Sequence, residues 1–239
     1  MRRESNFKLA NAFDLALEPD KSCLVETEFF SVDNADVMAY ASAKVEGCIG
    51  DVEKAIALYY AVRDEIPYDP YHCLLTNEQF HAKQVLADRR GFCIPKALLL
   101  ATLARCVGIP SLIGFADVVN HLSTPKMREL CQNELYFHGY AVLYVEGQWL
   151  KLSPAFNLSM CEKFDSRPLE FDGKSDALLH EYDMKNRRHM QYLTDYGAVA
   201  DLPYDKVTDE LWFRFPELMD FLKTQQANSF NEELQKLTK

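Results

Sequence analysis

Basic tracts, long apolar runs, metal-ligand spacings and internal repeats are all missing from this 239-residue chain. Each absence removes a class of function. Lys and Arg number 26 against 36 Asp and Glu, for a formal charge of -10. Only the short clusters Arg89-Arg90 and Arg187-Arg188-His189 oppose that balance, and they read as solvated faces or local ion pairs. Nucleic acid and anionic membrane surfaces are therefore excluded as main partners. No stretch reaches the roughly 18 apolar residues of a membrane span. The N-terminal segment begins basic, but Asp14, Glu18 and Asp20 break its apolar character and no small-residue cleavage pattern follows, so it is not expected to be a signal peptide.

No CxxC or HExxH occurs. His72 and Cys73 are adjacent rather than spaced as ligands, His81 and His121 stand alone, and His180 and His189 lie in a polar stretch. No EF-hand loop is present either, so neither a metal nor another cofactor is expected. The seven cysteines (23, 48, 73, 93, 106, 131 and 161) form an odd set in a chain long enough to bury a core without staples. They point to reduced thiols and a cytoplasmic location. The sequence carries no signal for an oligomeric state.

What is present is ordinary globular composition, 48% hydrophobic and 26% charged. Phe7–Leu17 suggests a short helix and Cys23–Phe30 a strand; Ala35–Lys44 fits neither pattern clearly. Asp51 is placed as the cap of an amphipathic helix running to Glu65, ended by Pro67 and Pro70. Thr76 or Asn77 opens the next short element, which Gly91 is expected to close. A nearly all-apolar helix then begins at Cys93, tolerates Pro95 in its first turn and stops at Gly108. Beyond it, residues 111–122 suggest a strand and loop, 123–135 a lid or insertion, and Tyr140–Leu152 a β-hairpin turning at Glu146-Gly147-Gln148. Asp205–Phe213 and Pro216–Leu222 read as two short helices, whose Trp212, Phe213, Phe215 and Pro216 form an aromatic cluster expected to dock on the core. The simplest division is a core over residues 50–160, with residues 1–49 and a mainly helical 161–239 packed on it.

The chemistry centres on Cys93. A thiol in the first turn of a helix faces free N–H groups and the positive end of the dipole, which predicts a lowered pKa and a nucleophile. Cys106, at the far end of the same helix, reads as a small buried hydrophobe. His138, at the start of a strand, is the candidate base for acyl transfer through a thioester. Ser153, at the end of the returning strand, lies level with it. The backbone N–H of Cys93 is a candidate oxyanion donor. Gln84 and Asn77 are side-chain alternatives, each also readable as a surface or capping residue, and Tyr140 and Trp149 are candidates for lining a cleft or the core.

Three segments in order resemble the transglutaminase-like superfamily: AVRDEIPYDP, the cysteine-bearing stretch Lys83–Pro110 with its leucine-rich helix and closing Gly-Ile-Pro, and His138–Pro154 with its Gly-containing turn, tryptophan and returning strand. The resemblance covers roughly residues 50–157 and implies a papain-like α+β fold, with the helix from Cys93 packed on an antiparallel sheet. It also implies Cys93 as nucleophile and His138 as general base and acid. The family's third member is an aspartate in an Asp-Pro step, where this chain has Ser153-Pro154. Ser153, Asn157 or Asp117 is left to orient the ring. The function expected is cleavage of an amide or peptide bond in a peptide, protein or small amide, by hydrolysis or transfer to an amine. The alternative is a non-catalytic binding or scaffold protein that keeps the fold.

Overall fold

The computed structural model describes residues 6–73, 76–120, 123–132, 135–178 and 190–224. His121, His180, His189 and Arg187-Arg188, weighed above, lie outside them. Three helices precede the central one: α1 (Ala35–Lys44), α2 (Gly50–Glu65) and α3 (Ala82–Asp88), followed by α4 (Cys93–Cys106). A strand β1 (Ser111–Asn120), a helix α5 (Pro125–Cys131) and the hairpin β2 (Leu135–Val145) and β3 (Gln148–Leu152) come next. The described chain continues through α6 (Leu158–Lys163), β4 (Met190–Val199), α7 (Tyr204–Arg214) and α8 (Pro216–Thr224). The strands form one antiparallel sheet in the order β3-β2-β1-β4. The fold is α+β.

Helix α4 is the axis of the core. Every residue from Cys93 to Arg105 is buried, and the helix packs on β2, β1 and the three preceding helices. Burying it required answers for its polar groups. Lys96 Nζ donates to the carbonyls of Arg63 and Ile66 at the end of α2, which fixes the first turn of α4 in place. Arg105 donates to the carbonyls of Val25, Ser111 and Ala200 and lies over the Phe30 ring. It thereby ties the N-terminal segment, β1 and the end of β4 to one guanidinium. Thr102 returns its hydroxyl to the Leu98 carbonyl. Helix α4 is thus fixed to its surroundings by two buried cations, not by apolar contact alone.

Several local expectations change. Phe7–Leu17 is turn and extended chain, and Cys23–Phe30 is a short 3-10 turn and loop. These segments fold around aromatic anchors instead: Phe7 packs on Phe115, Phe137 and Tyr196, and Phe13 on Trp149. Asp51 sits in the first turn of α2 rather than capping it, and α3 ends at Arg89 in the left-handed region, not at Gly91. Residues 125–131 are helical because Thr124 caps Met127 and Pro125 opens the first turn. Strand β4 has no counterpart in the expectations. The hairpin turn falls at Glu146-Gly147, both with positive φ, as a tight two-residue turn requires.

Candidate active site

The cysteine helix reaches the histidine strand through a missing side chain. Gly139 follows His138 on β2, and a Cβ there would stand 2.9 Å from Ile94 Cα and 2.7 Å from Ile94 Cγ1. Only glycine lets the first turn of α4 lie this close to the strand. On the other side, the N–H of Asp69 donates to the Gly91 carbonyl and the Gly91 N–H to the Pro67 carbonyl, fixing the approach to Cys93. Replacing Gly139 by alanine is expected to push α4 off β2 at a cost of about 1–3 kcal/mol, read as a fall in the urea midpoint at unchanged m-value.

Cys93 and His138 line one cavity. The peptide N–H groups of Gly139, Ile94 and Cys93 all act on the thiol and favour its anion. Burial outweighs them: it pushes the Cys93 thiol up to about 11. This corrects the expectation of a lowered pKa, because the dipole and N–H groups of a helix start count for less than the loss of solvent around the sulfur. Burial also pushes His138 down to about 4. The thiol and the imidazole that line the cavity are therefore both neutral across the physiological range.

The His138 shift has a consequence for stability. The unfolded ring takes up a proton near pH 6.5, the folded ring only near 4. Stability that is present above pH 6.5 is thus lost as pH falls toward 4, by about 3 kcal/mol in full. Urea midpoints measured from pH 7 to 4 should fall more steeply for the native chain than for a His138→Leu variant.

Ser153 meets the histidine. Its Oγ shares a 3.0 Å hydrogen bond with His138 Nε2, and both residues are buried. The backbone of Ser153 is itself held, its N–H donating to the Ala177 carbonyl and its carbonyl accepting from Tyr59. The other candidates for the third member stand elsewhere. Asn157 Oδ1 accepts from the Tyr68 N–H at 3.1 Å and its Nδ2 donates to Ser159 Oγ at 2.7 Å, so it braces the Tyr68 loop and does not orient the ring. Asp117 pairs in register with Phe137, and Ala116 with His138, which puts Asp117 on the opposite face of the sheet. There it binds Arg214 and Tyr196.

The other candidates also have structural duties. Gln84 donates to Asp88 and Asn77 to Glu28, and neither lines the cavity. Trp149 donates its indole N–H to the Leu17 carbonyl, and Tyr140 is buried with its hydroxyl on Asp195. Tyr140 fits because Gly114 lies beneath its ring, where a Cβ would come within 2.3 Å. His72 bonds Asp88 and His81 bonds Asn77.

Two aromatic residues at the site escaped the sequence reading. Tyr192 of β4 sets its ring edge-on to His138, with centroids 6.0 Å apart, and Tyr68 lines the cavity beside Cys93. The aromatic and β-branched residues of 190–199 were the available signal for β4, obscured by Thr194, Asp195 and Gly197. No helix among the described residues is long and apolar enough to cross a membrane.

Residues 38–154 match the family model of the transglutaminase-like superfamily. Among solved structures, a proposed cysteine protease from Cytophaga hutchinsonii is similar at 18% identity and a TM-score of 0.45, over 57% of this chain and 43% of that one. A proposed protease from Parabacteroides distasonis is similar at 16% identity and a TM-score of 0.37, over 53% of this chain and 26% of that one. The chain thus spans less than half the length of either. No curated protein matches it.

Proposed function

Because this chain carries a transglutaminase-like core over residues 38–154, we propose that it is a cysteine-dependent acyl-transfer enzyme acting on an amide or peptide bond. The observation that carries the reading is the shared cavity of Cys93 and His138, with Ser153 on Nε2 of the ring. In the tautomer with its proton on Nε2, that nitrogen donates to Ser153 Oγ, and Nδ1 is unprotonated and can act as base. As Sγ attacks the carbonyl carbon, its proton passes to Nδ1, so no thiolate has to exist beforehand. The developing oxyanion is met by peptide N–H groups at the start of α4. The C–N bond then breaks, and the amine leaves with the proton from His138. Water, or a second amine, attacks the thioester while His138 takes its proton, and the thiol is regenerated. Hydrolysis needs no further reactant, and transfer needs only an amine.

A serine here holds the ring's orientation without adding charge. That fits a pair that rests neutral and keeps His138 low, whereas an aspartate would favour the imidazolium. In a Ser153→Ala variant the ring loses its partner, and turnover is expected to fall by roughly 10–100-fold with KM little changed. Turnover of a panel of chromogenic amides tests the reading, with Cys93→Ala as the blank. Turnover that disappears in the blank supports it; identical rates in the two proteins across the panel would overturn it.

A further inference from the structure

We propose that the cavity at Cys93 is an acyl pocket for a short, uncharged, branched aliphatic group, roofed by α7 and α8. This rests on the acyl-transfer reading above. Among the described residues lining the cavity there is no Asp, Glu, Lys or Arg, in a chain that carries 62 of them. The cavity walls include four methionines, one each on α5, α6, β4 and α8 (Met127, Met160, Met190 and Met219), set among the rings of Tyr68, Phe92, Phe137 and Phe156. Leu211, Phe215 and Leu218, from α7, α8 and the residue between them, complete the roof.

The chemistry of such a wall is selective in one direction. An ionised substrate group entering it would lose its hydration and find no partner of opposite charge, since His138 itself rests neutral there. The polar groups on the wall are largely engaged: Ser123 bonds Tyr136, and Thr124 caps α5. An aliphatic group loses nothing and removes apolar surface from water, and methionines adapt to its shape.

Size narrows the class further. The cavity measures about 80 Å³, roughly half the ~150 Å³ of an apolar protein cavity that takes benzene. An acyl group of four or five carbons is the appropriate scale, and a long chain or a fused ring system is too large. The acyl side is the part housed, because it stays bonded to Sγ through the thioester while the amine must leave and the acceptor must enter. The roof lies outside the family-matched residues 38–154. Specificity is therefore supplied by a segment the common core lacks.

The test compares kcat/KM for acetyl, isovaleryl and succinyl 4-nitroanilides on the full chain. Isovaleryl should exceed acetyl by tens of fold, at about fourfold per added carbon, and succinyl should fall at least 100-fold below isovaleryl. A Met219→Ala variant should move the optimum to a longer chain such as hexanoyl. Independently of turnover, isovaleramide should raise the melting temperature of Cys93→Ala, and succinamate should not. Cys93-dependent turnover that is equal for isovaleryl and succinyl overturns the pocket and leaves the reaction standing. No turnover of any member, with isovaleramide still stabilising the protein, overturns the reaction and supports the pocket's preference. Neither turnover nor stabilisation overturns both.

Discussion

In a His138→Ala variant, acylation of Cys93 at pH 7 is expected to fall by roughly 10⁴ and to recover about tenfold with each unit of added pH. Both numbers follow from the buried thiol. With its pKa pushed up to about 11, only about one thiol in 10⁴ is ionised at neutral pH. In the proposed mechanism the native chain avoids that limit because the imidazole takes the proton during attack. Without the base, the ionised minority carries the reaction and alkali restores it. The native profile should be flat from somewhat above pH 4 until the thiol itself ionises, since a base pushed down to about 4 is available throughout. Stopped-flow acylation between pH 6 and 10 distinguishes the two profiles. A variant that falls without recovering in alkali would make His138 structural.

Replacing Arg214 by alanine is expected to destabilise the fold by about 3–5 kcal/mol, a fall in melting temperature of about 10 °C or more. The Arg214 side chain is almost fully buried on the face of the sheet away from His138. Its guanidinium binds Asp117 and Glu210, donates to the Tyr196 hydroxyl and lies 5.3 Å from the centre of the Phe137 ring. Phe137 precedes His138 and lines the cavity, so one cation fastens α7 to the strand that bears His138. Removing it leaves two buried carboxylates without a cation, which is where most of the cost arises. The triple variant Asp117→Leu, Glu210→Leu, Arg214→Met should recover much of the loss, because it buries no charge at all. A triple variant as unstable as Arg214→Ala would assign the cost to lost packing instead.

The parts of the fold that were legible from the sequence are those in which local pattern and tertiary role coincide. The apolar run after Cys93 can only be a buried helix, and the residues from Tyr140 to Leu152 contain both strands and the turn between them. Phe7–Leu17 and Cys23–Phe30 misled because their apolar residues are anchors for distant rings and cations, with no period of their own. Strand β4 was hidden because it is only half-buried and interrupted by polar residues and Gly197, where register shifts along β1 accommodate it. At the site, the side chains of Ser153 and His138 are bonded, and the place of Ser153 level with His138 was readable from the hairpin. The ionisation of the thiol was not, since the helix start is visible in sequence and the depth of its burial is not. Asp117 looked available for His138 only until the register placed it on the other face, facing Arg214.

The most direct test of the account is to stop the reaction with isovaleryl 4-nitroanilide in acid within milliseconds and identify the modified peptide by mass spectrometry. The account predicts one isovaleryl group on Cys93, labile to hydroxylamine as a thioester must be, present in the native chain and absent from His138→Ala at pH 7. Product released with no acyl group on Cys93 at any time, or an acyl group found on another residue, would contradict it.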